Sequence, residues 1–346
     1  MRKLIILIML VSVLAVPVSA MDFTAPEVPE SAADLMPDTI DSFGEGLWEL
    51  VKSAIPIVQP AVAEAAKKCL ALIAVVLLTS LVDAMPGETK RTTSLVSAIT
   101  IGVLLLQNTN SLVNLGVETV QELSEYGKLL LPVMAAAMAA QGGTTGSAAL
   151  YAGTALFDTV LSTAIAGLIV PMIYMFLCLA VANSAIGEDV LKKLRDFVKW
   201  LMTWCLKIIL YVFTGYIGIT GVVSGTTDAA ALKAAKITIS SVVPVVGNIL
   251  SDASEAVLVS AGVMKSAAGI YGLLAILALW IEPFLRIGVQ YLLLKISAAV
   301  CGVFGNKETT ALIQDFSGAM GMLLAMTGTV CLLLLISTVC FMKGVG

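Results

Sequence analysis

Two oppositely charged residues lie deep inside an apolar stretch of the sequence, at a spacing that allows them to pair. Glu282 and Arg286 are four residues apart on either side of Pro283, and residues at that spacing lie on one face of a helix. Charges in such surroundings are costly to bury, and those that are retained are often functional. The alternative is an ion pair that lies at an interfacial turn or only holds helices together.

Asp158 is a second candidate, because it is a single carboxyl group in another apolar run. Three lysines also stand alone in apolar runs, but their long side chains can reach a membrane surface more easily than an aspartate can. Asp158 is therefore the better candidate for a residue on a solute pathway. These lysines are Lys207, Lys265 and Lys295.

The composition excludes most catalytic chemistry and indicates a membrane protein. Of the 346 residues, 59% are hydrophobic and 13% are charged, whereas soluble proteins carry about 25% charged residues. The chain contains no histidine, which removes Ser-His-Asp and Cys-His nucleophile systems and histidine metal sites. The six cysteines form no CxxC pair, and a net charge of −4 gives no footprint for nucleic acid. We therefore expect no enzyme activity, metal or cofactor.

The N-terminal region has the pattern of an exported segment. Residues 1–20 combine a basic start, an apolar stretch and small residues before a cut after Ala20, as in a secretory signal peptide. A retained anchor helix is the alternative. Residues 21–68 are expected to form an acidic extracytoplasmic arm and an amphipathic helix, which would pack on the membrane surface, on a partner or on the protein's own core.

The apolar stretches predict an all-α, polytopic membrane protein with six to eight spans. Residues 69–107 are expected to form a first helical hairpin, whose loop carries Lys90 and Arg91 and should therefore lie in the cytoplasm. Two apolar regions are too long for one straight span, although the neighbouring basic loops favour one net crossing for each. They are residues 148–185 and 257–303.

Residues 108–223 and 224–346 are expected to be two copies of one membrane unit that run in the same sense. In each copy a short apolar run carries a first proline, a long helix carries a second proline 39 residues later, and an Asp-Phe pair precedes a strong span. The short runs indicate proline-broken or re-entrant half-helices, which in transporter folds lie beside the binding site. Chance reuse of proline at helix ends is the alternative. The candidate pathway or helix-packing prolines are Pro132, Pro171, Pro244 and Pro283.

A row of glycines allows one helix to approach a neighbour closely. Small residues at this spacing are typical of helix contacts in membranes. The row fits a homo-oligomer and a tight bundle equally well. Its members are Gly215, Gly218, Gly221 and Gly225.

One stretch resembles a known family. Residues 221–257, GVVSGTTDAAALKAAKITISSVVPVVGNILSDASEAV, are similar to the most specific region of the stage III sporulation protein AE (SpoIIIAE) family of endospore-forming Firmicutes. The order of the other parts also resembles that family: a signal peptide, an acidic arm, a first span followed by PGETKR, and the run LLLPVMAAAMAAQGG.

The resemblance implies a multi-pass, non-enzymatic membrane core component of a secretion-like channel that links mother cell and forespore. The implied partners are the other proteins of the SpoIIIA operon and, through the complex, SpoIIQ. The implied location is the mother-cell-derived outer forespore membrane, in contact with the lipid bilayer. No catalytic residues come with this resemblance. Two alternatives stay open: a stand-alone secondary transporter or permease, and a non-conducting membrane scaffold for the complex.

Overall fold

The computed structural model describes residues 25–37, 42–83, 90–140, 144–219, 267–304 and 307–343. The regular elements within these ranges are all helical. Six of the described helices are long and apolar enough to cross a membrane. The structure therefore confirms an all-α, polytopic membrane protein, at the lower end of the predicted number of spans. The predicted signal peptide, Pro244 and the family-like stretch 221–257 lie outside the described residues.

The described helices follow one another along the chain, and residues 220–266 separate Asp189–Ile219 from Ala267–Phe304. A π-helical segment, Ile165–Ile169, joins the helix Thr144–Ala164 to the helix Val170–Ile186 without a break, so that one rod covers the first long apolar region. The described part of the second region is also a single helix, which agrees with one net crossing for each. The bounds are α1 Glu30–Ala33, α2 Phe43–Asp83, α3 Lys90–Ala140, α4 Thr144–Ala164, α5 Val170–Ile186, α6 Asp189–Ile219, α7 Ala267–Phe304 and α8 Lys307–Lys343.

Helices α2 and α3 are longer than the sequence predicted. Helix α2 runs from the predicted amphipathic helix straight into the first span, and α3 combines the second span, a polar stretch and the run before Gln141. The 51 residues of α3 extend about 75 Å at about 1.5 Å per residue, whereas the hydrocarbon core of a bilayer is about 30 Å thick. The sequence changes polarity near residues 68 and 107, but a change in polarity does not by itself end a helix.

The described prolines do not break the helices that carry them. Pro132 lies inside α3 and Pro283 inside α7, so the half-helix breaks expected there are absent. A proline removes one backbone donor, and in a membrane bundle neighbouring helices and local adjustments can compensate for that loss. Pro171 stands at the start of α5, directly after the π-helical segment, where the wider turn accommodates it.

Helices α7 and α8 form the centre of the bundle. Of their most apolar windows, 72% and 78% of residues are buried, against 17% for α2. Helix α8 packs against α3, α5 and α7, and α7 also packs against α2. Helix α6 lies outside, against α4, α5 and α8.

Two glycines allow α3 to approach the central pair closely. A Cβ atom on Gly127 would lie 2.7 Å from Leu334 Cδ2, and one on Gly272 would lie 2.8 Å from Leu130 Cδ1. Gly215 has no such neighbour, since a Cβ atom there would meet nothing within 4 Å. The close approach predicted at Gly215 is therefore not made by the described part of this chain, whose helices meet at other glycines.

The C-terminal ends of α2, α5 and α7 and the N-terminal ends of α3, α6 and α8 lie at one end of the bundle. Helix α2 is parallel to α7, α6 is parallel to α8, and α7 and α8 are antiparallel. This end carries the basic residues of the loops that the sequence placed in the cytoplasm. The direction of α2 along α7 follows from the contacts Gly46–Leu274 and Cys69–Ser297. That of α6 along α8 follows from Arg195–Asp315 and Lys199–Gly318. That of α7 against α8 follows from Gly269–Met342 and Tyr291–Gly321.

Candidate functional site

Helix α7 carries a row of polar side chains at four-residue spacing. Arg286 Nη2 lies 2.6 Å from Glu282 Oε1, so the two candidate residues do pair as their spacing allows. Their side chains are partly exposed, at 37% for Arg286 and 23% for Glu282. Gln290 follows one turn later and is 4% exposed. Because successive members are one helical turn apart, the three side chains lie on one face of α7.

Two buried atoms of this row have no hydrogen-bond partner among the described residues. They are Arg286 Nε and Gln290 Oε1. Most buried polar atoms in native structures are paired, and leaving one unpaired costs about 1–3 kcal/mol. Pro283, which is buried between the two charged residues, adds a backbone position that cannot donate. Helix α7, in the centre of the bundle, thus carries buried polar atoms that have no hydrogen-bond partner among the described residues.

Asp158 belongs to a second polar group, between α3 and α4. Its side chain is 3% exposed, and Ser124 Oγ of α3 donates a hydrogen bond to Asp158 Oδ2 at 2.6 Å. Ser162 Oγ, one turn later on α4, donates to Ser124 Oγ at 3.2 Å. Asp158 Oδ1 and Thr154 Oγ1 have no hydrogen-bond partner within the described ranges. The carboxyl group that the sequence left isolated therefore has hydroxyl neighbours on two helices.

The two groups of polar residues are separate. Asp158 lies on α4 and the Glu282–Arg286 pair on α7, and no hydrogen bond or ion pair between described residues joins them. Pro132 is exposed on α3, and Pro171 is exposed at the start of α5. A pathway or packing role for these candidate residues stays a prediction.

A third charged cluster was not predicted from the sequence. Arg195 of α6 is 9% exposed, and its Nη1 donates to Asp315 Oδ2 of α8 at 2.6 Å. Its Nε and Nη2 donate to Asp196 Oδ1 at 3.0 and 2.8 Å. Asp196 and Asp315 are the two aspartates of the Asp-Phe pairs that the repeat comparison matched. Arg195, directly before Asp196 in the sequence, is the signal that could have indicated that Asp196 and Asp315 lie close together.

A cavity of about 210 Å³ lies between α2, α3 and α7. Lys68 Nζ, at its edge, lies 2.7 Å from Glu64 Oε1 and donates to Asn108 Oδ1 at 3.1 Å. Sequence reasoning missed this cavity, because its polar residues are far apart in the chain and converge only when three helices pack. Its polar lining residues are Lys68, Gln107, Asn108 and Gln290.

Six membrane-length helices, two of which form a buried central pair, keep polar groups inside the bundle and define a polytopic α-helical membrane protein. Family comparison makes this specific. The chain belongs to the stage III sporulation protein AE family, whose model matches residues 43–344. The family resemblance predicted from the sequence is confirmed.

A curated relative supports the same assignment. Stage III sporulation protein AE of Bacillus subtilis (strain 168) is 22% identical to this chain over 235 residues. The aligned region covers 68% of this chain and 59% of the relative, which is less than two thirds of the relative's length. No solved structure matches the chain. The family is named for stage III of sporulation.

Proposed function

We propose that this protein is a non-enzymatic membrane core component of the SpoIIIA–SpoIIQ type channel between mother cell and forespore. The family assignment supports the sporulation context, and the six membrane-length helices support a place within the bilayer. The observation that carries a channel role is the polar row Glu282, Arg286 and Gln290 on the centrally placed helix α7.

The polar row offers a physical basis for such a role. Its three members cover about 12 Å along the helix axis, because each step of four residues rises about 6 Å. Buried polar atoms without partners attract water or a polar solute, whereas a purely structural pair satisfies its own atoms. Arg286 and Gln290 carry the two atoms of the row that have no partner among the described residues.

The proposed location is the mother-cell-derived outer forespore membrane. In this arrangement the end of the bundle with the basic connections faces the mother-cell cytoplasm, as the positive-inside rule requires. The opposite end, where α2 begins with Glu45 and Glu49, faces the space between the two membranes. The other proteins of the SpoIIIA operon are the proposed direct partners, with SpoIIQ reached through them.

A stretch of α6 is the surface that we propose for lipid or partner contact. Phe197, Trp200 and Trp204 are 54%, 53% and 44% exposed, and neighbouring rings lie 5.9 Å apart. Exposed tryptophans beside lysines are typical of the membrane–water interface. Gly215 on the same helix is open to a neighbour, which leaves room for a second copy of the chain.

A non-conducting scaffold is the second candidate, and one observation favours it. Glu282 and Arg286 bind each other within α7, as residues do that only stabilise their own helix. Both the channel and the scaffold predict assembly with SpoIIIA proteins. They differ in the effect of removing the charges of Glu282 and Arg286: a channel loses its function, whereas a scaffold tolerates the change.

Cross-linking followed by affinity purification from sporulating cells tests the assembly directly. A tagged form of this protein should recover other SpoIIIA proteins at the stage when the forespore is engulfed. A tagged, unrelated multi-pass protein of the same membrane serves as the control. Recovery of no SpoIIIA protein above that control would overturn both the channel and the scaffold proposals.

A further inference from the structure

Helix α3 runs beside the most apolar part of α8. A Cβ atom on Gly116 of α3 would lie 3.3 Å from Met326 Cε of α8. One on Gly127 would lie 2.7 Å from Leu334 Cδ2. Both contacts fall within residues 316–342 of α8, a stretch that contains no charged residue and is long enough to cross the hydrocarbon core of a bilayer. The segment of α3 between the two glycines therefore lies at membrane depth.

The exposed side chains of that segment are polar. Glu118, Gln121 and Glu125 are exposed, and Glu122 is partly buried. Glu122 Oε2 accepts a hydrogen bond from Ser31 Oγ of α1 at 2.9 Å. Charged side chains at membrane depth are costly against lipid, and they normally face a protein interior or a water-filled space. This surface of α3 is therefore not suited to contact with lipid tails.

Helix α2, which runs along α7, continues this polar surface. Glu49, Lys52 and Gln59 are exposed on it. Lys68 Nζ of α2 donates to Asn108 Oδ1 of α3 at 3.1 Å, so the polar surfaces of the two helices meet. We call the exposed polar side chains of residues 49–68 and 108–125 together the polar flank.

The opposite side of the bundle exposes apolar side chains at the same level. Asp158 of α4 binds Ser124 of α3, and Val160, two residues further along α4, is 48% exposed. Val212 of α6, whose neighbour in the sequence packs against Phe157 of α4, is 54% exposed. The side formed by α4 and α6 is suited to lipid, whereas the polar flank at that level requires water.

One chain supplies only one wall for such water, and α2 offers a contact for a further copy. In a closed cyclic assembly the same surface of every copy faces the axis. Trp48 and Ile55 lie seven residues apart on one edge of α2 and are 72% and 58% exposed. Lys68, which contacts α3, lies about 140° round the helix from Ile55 at about 100° per residue. This apolar edge therefore points away from α3, beside the polar flank.

We propose that several copies of this chain enclose a water-filled pore that is lined by the polar flank, and that the pore passes cations. The charged residues between Gly116 and Gly127 are all glutamates, so the assembled copies present rings of carboxylates. Such rings are the usual lining of cation-selective pores. The proposal rests on the proposed channel role and deepens it, because it names the lining, the chain that closes the pore and the class of solute.

Four full-length variants, each with a single cysteine, test whether water reaches this level. Glu118→Cys and Gln121→Cys lie on the polar flank, and Val160→Cys and Val212→Cys are the matched controls on the opposite side. The native cysteines are replaced by alanine. Each variant is reconstituted in liposomes and treated with 2-(trimethylammonium)ethyl methanethiosulfonate, a cationic thiol reagent. The flank cysteines should react at least about tenfold faster than the controls, because hydrocarbon excludes a charged reagent.

Conductance tests the pore itself. The unaltered protein, purified alone and inserted in a planar bilayer, should carry current. In a KCl gradient its reversal potential should shift towards the equilibrium potential of K⁺, because carboxylate rings favour cations. Modification of Gln121→Cys by the cationic reagent should reduce the K⁺ current, and the same treatment of Val160→Cys should leave it unchanged.

Three results would overturn the proposal. Equal rates at the four cysteines, whether fast or slow, would show that water does not distinguish the polar flank from the lipid-facing side. No current from the purified protein would exclude a pore closed by copies of this chain. A reversal potential shifted towards that of Cl⁻ would exclude passage of cations. The current of the unaltered protein decides even if a cysteine variant fails to fold. Since no step uses SpoIIIA proteins, this proposal and the proposed function can fail separately.

Discussion

Arg195 Nη1 of α6 donates a hydrogen bond to Asp315 Oδ2 of α8 at 2.6 Å, and the same guanidinium binds Asp196. The arginine thereby joins the aspartates of the two Asp-Phe pairs, Asp196 and Asp315. It connects the peripheral helix α6 to α8 of the central pair at the end that carries the basic connections. A buried arginine with several charge-assisted hydrogen bonds fixes geometry strongly, because removing one partner leaves the other charge unpaired.

Arg195→Met should lower the free energy of unfolding by about 3–5 kcal/mol, because it leaves the Asp315 carboxylate without its partner. The Asp315 side chain is 15% exposed, so water compensates it poorly. Unfolding in mixed detergent micelles measures the effect. The control is Asp196→Ala, since the Asp196 side chain is 56% exposed and its loss should cost at most about 1 kcal/mol. Equal losses for the two variants would contradict the buried clamp.

Ser124→Ala should destabilise the protein by about 1–3 kcal/mol, because it removes the donor to a carboxylate that is 3% exposed. Ser111→Ala is the matched control on the same helix, where the exposed hydroxyl only donates to Asn108 O at 3.4 Å. That control should change stability by less than about 0.5 kcal/mol. The same unfolding assay compares the two. A stable Ser124→Ala protein would show that the Asp158 network does not hold α3 to α4.

Gly272→Val should destabilise by about 1–3 kcal/mol through overpacking, since even a Cβ atom there would lie 2.8 Å from Leu130 Cδ1. Gly288→Ala, on the same helix, meets nothing within 4 Å and should be neutral or stabilising by up to about 1 kcal/mol. Thermal aggregation of the purified variants separates the two cases. A tolerated valine at 272 would mean that α3 and α7 are not in close contact.

Glu188→Cys should be labelled by an impermeant thiol reagent only from the cytoplasmic side, in a background without other cysteines. Glu188 is exposed in the α5–α6 connection, at the end with the basic residues. Lys128→Cys should be labelled only from the opposite side, because it is exposed near Gly127, which packs beside Leu334 late in α8. Labelling of both positions from one side would contradict the proposed crossing of the membrane by α4 and α5.

The sequence predicts the class of fold well because apolar length is a strong signal in membranes. The long runs around α7 and α8 need no tertiary information to be recognised as helices. Pro132 and Pro283 show where local rules fail, since each predicts a break that the packed bundle does not make. The cost of a missing donor depends on neighbours that the local sequence does not reveal.

The polar sites also differ in how far the sequence predicts them. The Glu282–Arg286 pair follows from spacing within one helix, and the sequence predicts it. The Arg195–Asp315 contact and the cavity around Gln290 join residues from different helices, so they depend on how the helices pack. A polar residue inside an apolar run indicates a candidate, but its partners become visible only in the assembled bundle.

The central claim is that the polar face of α7 serves passage of solute rather than only cohesion of the bundle. The most direct test is Glu282→Leu combined with Arg286→Leu, because a partly exposed ion pair within one helix contributes little to stability, about 0–1 kcal/mol. Spore yield and recovery of SpoIIIA proteins are measured together in an endospore-forming host that lacks the native protein. The account predicts normal recovery of the complex and spore yield as low as in the strain without the protein. Normal spore yield with a normal complex would contradict it.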